Sequence, residues 1–142
     1  PMATLKVTIN EELSIEGVDR GSSRVLDVAS VSQVDNRIVT VTNSEADLVK
    51  FGSAVASGTF VAASVKYLRI THAGTANTLT LRVLGSSEEY FVKLTAGQSF
   101  VLNNASMDAN ATGSQSVSLA NIAEIKAVAS TSTIVTEVFV AS

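Results

Sequence analysis

His72 is the one histidine in the chain, and there is no cysteine. A metal centre of the cupin kind takes several imidazoles and a carboxylate from inward-facing strand positions, because imidazole is the usual nitrogen ligand. One imidazole and no thiolate do not make that donor set. Nor does the spacing single out one of 19 serines as a nucleophile for that histidine. Neither the Gly-x-Ser-x-Gly elbow nor the Ser-x-x-Lys pair occurs. His72 is expected at the end of a strand, bonded to nearby backbone.

Carboxylates are the next acid–base candidates. Glu11-Glu12 and Glu88-Glu89 are adjacent pairs, and neighbours on a strand point to opposite faces rather than at one substrate. Both pairs read as solvated edges, where charge discourages unwanted strand pairing. Asp27 sits out of phase with Leu26 and Val28 and is expected to face solvent or a neighbouring subunit. The eight glycines form neither a dinucleotide fingerprint nor a P-loop. Asn104-Ala105-Ser106 and Asn110-Ala111-Thr112 match the glycosylation acceptor pattern, as chance allows in a chain this rich in Asn, Ala, Ser and Thr. Lys66, Arg69, Arg82 and Lys93 fall on neighbouring strand candidates and read as scattered solvent-facing charges, with a small basic patch as the alternative. No catalytic, cofactor-binding or metal-binding residue is assigned, no cofactor is expected, and the chain is not expected to be an enzyme.

The elements that would carry any such residue follow from composition and alternation. Val, Ser, Ala and Thr number 20, 19, 18 and 14, half of the 142 residues. Charged residues are 16%, against about 25% in an ordinary domain. A net charge of -3 argues against binding nucleic acid by phosphate neutralisation, and the apolar content argues against disorder. The N-terminus lacks the basic and apolar regions of a secretory signal, and Pro1 ahead of Met2 reads as the remnant of a cleaved tag. Apolar runs stop at four residues, as in Phe60-Val61-Ala62-Ala63, far short of a membrane span. No membrane partner is expected.

Period-two alternation with β-branched residues predicts strands over Thr4–Asn10, Arg24–Val34, Arg37–Thr42, Glu45–Phe51, Val65–His72, Thr78–Leu84, Glu89–Thr95, Gln98–Leu102, Ile122–Ala129 and Thr133–Val140. Asp35-Asn36 carries turn chemistry and predicts a hairpin between Arg24–Val34 and Arg37–Thr42. Leu119–Glu124 permits either a helical turn or a strand. Asn103–Gln115, rich in Asn, Ala and Ser, is expected to be a surface loop, and long loops in compact domains tend to carry function. Asn103, Asn104, Met107, Asp108 and Asn110 are therefore the candidate partner-contact residues. About nine or ten short strands over residues 1–142 predict one all-β domain, a two-sheet antiparallel β-sandwich with a Val, Leu and Ile core.

Val65-Lys66-Tyr67-Leu68-Arg69-Ile70-Thr71, a turn, and Thr78-Leu79-Thr80-Leu81-Arg82-Val83 resemble a hairpin recurrent in small virion structural proteins of tailed phages, marine ones especially. Tyr90–Phe100, with its Ala96-Gly97 turn, is similar to the aromatic strand that follows, and Arg37–Val41 fits upstream. The turn His72–Asn77 departs from the pattern by lacking an acidic residue. Leu94–Phe100 is also similar to a cupin's strand pair, without the metal ligands. The phage resemblance, over roughly residues 37–102, implies a jelly-roll-like sandwich acting as a capsid decoration (cement) protein. It further implies assembly in the bacterial host cytoplasm, residence in the virion, and the major capsid protein or another virion protein as partner. A mean hydropathy of +0.32 with few charges points to apolar surface covered by other subunits, and a homo-oligomer is expected, a trimer by match to threefold capsid positions. The alternative is a carbohydrate- or receptor-binding module of a phage tail or head fibre, with Tyr67 or Tyr90 as the aromatic platform.

Overall fold

The computed structural model describes residues 2–52, 59–61, 64–85, 89–104, 106–107 and 120–142. The chain divides into two compact units, Pro1–Gln33 and Val34–Ser142.

The first unit is a long antiparallel ribbon. Strand β1 (Ala3–Glu11) pairs with β4 (Ser22–Val31), and β2 (Ser14–Ile15) with β3 (Val18–Asp19) closes the tip. Glu16 and Gly17 lie at φ 52° and 77°, the two left-handed residues a type I′ hairpin turn requires. Leu5 stands opposite Val28 and Val7 opposite Leu26, so these four share a face. The register shifts between Ala3 and Leu5, where Ser30 at φ 59° marks a bulge in β4 that twists the ribbon.

The second unit is a sandwich. Among the described residues its main strands are β5 (Val34–Val41), β6 (Ala46–Gly52), β7 (Thr59–Val61), β8 (Tyr67–His72), β9 (Leu79–Leu84), β10 (Glu89–Leu94), β11 (Ser99–Leu102), β14 (Glu124–Ala129) and β15 (Ile134–Ala141). Between β11 and β14, β12 (Ser106–Met107) pairs with β13 (Ala120–Asn121). One sheet runs β11-β8-β15-β5 and the other β10-β9-β14-β6-β7. Consecutive strands fall in opposite sheets: β5 and β6, β8 and β9, β10 and β11, β14 and β15. β5 lies beside β15 and β6 beside β14, with β8 and β9 on the far side of each, and this is the winding of a jelly roll. All these pairs are antiparallel except the short β6–β7 pair.

Alternation decides the core. Leu79, Leu81 and Val83 of β9 and Ile125, Ala127 and Ala129 of β14 turn inward from one sheet, and Leu68, Ile70, Ile134, Val138 and Val140 from the other. Each fully buried aliphatic side chain contributes about 1.5–3 kcal/mol against leaving it exposed. The ring of Tyr67 meets that of Phe139 edge-on at 6.0 Å between centroids.

The β-sandwich expected from alternation is the fold observed, and the described residues add the short pairs β2–β3 and β12–β13 to the strands foreseen. One local expectation is corrected. Asp35-Asn36 is no turn: both residues lie inside β5, opposite Val140 and Phe139 of β15, while β4 pairs with β1. Turn chemistry lost to the eight-residue ladder with β15. Of the two states left open for Leu119–Glu124, strand is the one seen at Ala120–Asn121, and Glu124 opens β14; Leu119 lies outside the described residues. Within the expected loop at Asn103–Gln115, Ser106–Met107 form the two-residue β12, with Met107 opposite Ala120; residues 105 and 108–115 lie outside the described residues.

β5 is an edge strand with an unusual inner face. Asp35 and Arg37 alternate with the outward Val34, Asn36 and Ile38, which puts both charges on the core side. They pair with each other, Arg37 Nε lying 3.3 Å from Asp35 Oδ2, and Arg37 Nη2 donates to the Leu48 carbonyl. Inward charge on an edge strand makes addition of a further strand costly.

Candidate interaction surface

The outer faces of the two sheets differ in kind. On the five-stranded sheet, register sets Phe91, Arg82, Lys126 and Asp47 in one row across β10, β9, β14 and β6. Charges there satisfy one another. Arg82 reaches Glu89 at 2.7 Å and Glu45 at 3.0 Å. Lys126 reaches Asp47 at 2.9 Å and Glu124 at 3.7 Å, and Lys50 reaches Asp47 at 3.0 Å. Hydrogen bonding to Lys126 and then to Lys50 holds the Asp47 carboxyl down at about 2. The same partners push Lys126, through Asp47, and Arg82, through Glu89, above their ordinary values. Phe91 stands 59% exposed with the Arg82 guanidinium 6.0 Å from its ring centre, a cation–π geometry.

The outer face of the four-stranded sheet is poor in charge. Val34 and Ile38 of β5, Val135 of β15 and Val101 of β11 stand 57%, 71%, 43% and 39% exposed. The charged pair at its middle is Arg69 with Glu137, on adjacent strands β8 and β15, 2.5 Å apart. Arg69 also donates to Thr71 Oγ1, and Thr71 and Ser99 hydroxyls lie 2.7 Å apart. Because these groups satisfy each other, a partner covering this face would bury no unpaired charge. Val34, Ile38 and Val135 lie towards the β5 edge and Val101 on the β11 edge, and exposed apolar surface rimmed by polar groups is what marks an interaction site.

One end of the sandwich is tied together by its turns. His72, fully buried, accepts a hydrogen bond from the Gly74 N–H at Nδ1, 3.2 Å away, and its Nε2 lies 3.2 Å from the Asn77 carbonyl oxygen. With Nδ1 accepting, the ring proton belongs on Nε2, which donates to that carbonyl. A Cβ at Gly74 would sit 3.1 Å from His72 Cε1, so glycine leaves the ring its room. Thr131 Oγ1 donates to Asn77 Oδ1 at 3.0 Å, and the Thr78 N–H donates to Ser130 Oγ at 3.1 Å. His72 thus braces a turn through backbone partners, the role expected of it.

The basic residues do not gather. Arg69 lies on the outer face of one sheet and Arg82 on the outer face of the other, each in its own ion pair, so the alternative of a shared basic patch fails. Asp27 is exposed beside Lys6 across the ribbon. Asn103 and Asn104 are exposed after β11, and Met107 is in β12; Asp108 and Asn110 lie outside the described residues. Tyr67 is 5% exposed and Tyr90 turns inward, where burial pushes its phenol above the ordinary value. Neither offers an open aromatic platform. Sequence reading missed Ile38 and Phe91. Their alternation was legible, but which of two apolar faces turns outward depends on sheet pairing.

Among the described residues, no group of three or more His, Asp or Glu side chains is placed to hold a metal ion, and no helix is long and apolar enough to cross a membrane. No family model, no curated protein and no solved structure matches this chain.

Proposed function

We propose that this protein is a structural component of a phage virion, a capsid decoration protein that works as a homo-oligomer, in trimers, on a capsid lattice. The observation that carries the reading is the apolar outer face of the four-stranded sheet, with Ile38 of its edge strand β5 71% exposed. Jelly rolls serve viral capsid and lectin domains alike, and fold alone does not select between them. The exposed aliphatics favour protein as the partner, since apolar surface is worth about 25 cal/mol per Å² when covered. The resemblance of residues 37–102 to virion proteins supports the same reading.

Light scattering on the purified protein at tens of micromolar tests the oligomer. An assembly of three protomers or a multiple of three, whose threefold contacts Ile38→Glu removes with the far-ultraviolet circular dichroism unchanged, is the expected result; a monomeric wild-type protein overturns the trimer. Mass spectrometry of purified particles tests the virion assignment, and absence from particles overturns it. The exposed Phe91 beside Arg82 favours one second reading, a carbohydrate-binding module. A glycan array showing selective binding that Phe91→Ala abolishes would establish that reading instead.

A further inference from the structure

Among the described residues, every edge of the two large sheets carries a guard against adding another strand. β5 turns Asp35 and Arg37 inward, β7 and β11 have three and four residues, and β10 presents Glu89 and Lys93. Short strands and charges are the usual protection of an edge. The ribbon of the first unit has two further edges. β4 guards its own with Arg24 and Asp27 along residues 22–28 and with the bulge at Ser30 beyond them. β1 does not: it runs nine residues, is regular from Leu5 to Glu11, and between Leu5 and Asn10 has one charge, Lys6.

A two-stranded ribbon alone is marginal in water, and three or more strands with an apolar face are needed for independent stability. This ribbon has the apolar face, in Leu5, Val7, Ile9, Leu26 and Val28, with Ile9 54% and Leu26 41% exposed. We propose that β1 pairs antiparallel with β1 of a second copy, making a continuous four-stranded sheet, with Val7 on the twofold axis.

Charge and pattern choose the occupant and the register. A twofold pairing that keeps the apolar faces on one side can slide only by steps that preserve alternation. With Val7 on the axis, Leu5 stands opposite Ile9 of the second copy, Lys6 opposite Thr8, and Glu11 opposite Ala3. Sliding one step sets Lys6 against Lys6 of the second copy, and like charges directly opposite are destabilising. Sliding the other way sets Leu5 against Glu11. One register therefore joins apolar to apolar with no charge conflict, and β1 is complementary to itself in it. Such an isologous contact links two protomers whatever larger assembly they belong to.

The chain has no cysteine, so single cysteines report proximity cleanly. Opposed residues of an antiparallel pair have Cα atoms about 4.5–5.5 Å apart, within disulfide range. Val7→Cys is expected to form a disulfide-linked dimer under mild oxidation at least tenfold faster than Val25→Cys on β4 or Thr8→Cys, whose two copies are offset in this register. All three variants should unfold at the wild-type urea concentration, which separates pairing from folding. Linking of Val7→Cys no faster than the other two overturns the proposal, and linking fastest at Thr8 overturns the register. Neither outcome bears on the virion assignment, which particle composition decides.

Discussion

Asp47 and Lys126 face each other across β6 and β14 at 2.9 Å, and Lys50 closes on the same carboxylate from its own strand at 3.0 Å. The carboxyl titrates at about 2 rather than 3.8. A group whose folded value is depressed contributes stability that is fully present above its unfolded value and lost as pH falls through the folded one. The urea midpoint is therefore expected to fall between about pH 4 and pH 2, and Asp47→Asn is expected to flatten that part of the curve. At pH 7 the substitution should lower the midpoint only slightly, since partly exposed pairs are screened by solvent. Urea titrations from pH 2 to pH 7 read both effects.

Thr136 stands opposite His72 across β15 and β8, fully buried, and its hydroxyl has no hydrogen-bond partner among the described residues. A buried polar group left unpaired costs about 1–3 kcal/mol. Thr136→Val keeps the shape and removes that cost. It is expected to stabilise the protein by about 1 kcal/mol, read as a higher urea midpoint with unchanged slope.

His72→Ala removes the acceptor of the Gly74 N–H and the donor to the Asn77 carbonyl, and leaves a void where the ring stood. A loss of about 2–4 kcal/mol is expected from the two orphaned backbone groups and the cavity together. Hydrogen exchange supplies the local readout: the Gly74 amide should lose protection more than amides at the centre of β9. Gly74→Ala should move in the same direction by less, because the ring must shift only a few tenths of an ångström.

Leu81 lies at the centre of β9, between β10 and β14, with no exposed surface. Leu81→Ala is expected to cost about 2–5 kcal/mol. Leu26→Ala, on the exposed face of the ribbon, should change stability by less than about 1 kcal/mol. Paired urea titrations check the contrast.

Much of the β architecture could be read from the amino acids alone. Leu79, Leu81 and Val83 alternate with Thr80, Arg82 and Leu84 and form a strand with the first three inside, because a period of two leaves no other way to hide them. Strand type, small-residue turns and an aliphatic core are local or compositional properties, and they survive translation into structure. Pairing is not local. Asp35-Asn36 has turn chemistry, yet these residues became strand because β15 offers β5 a ladder from Val34 to Val41. β5 carries aliphatic residues on both faces, so its alternation alone could not say that Val39 and Val41 turn inward while Ile38 turns to solvent. The placement of Arg69 and Arg82 on opposite sheets was hidden for the same reason: neighbours in sequence part company when consecutive strands wind into different layers. Composition determined that this chain would be a weakly charged β-sandwich. Only the tertiary structure decided which apolar faces it keeps and which it offers, because burial belongs to pairs of strands rather than to any one of them.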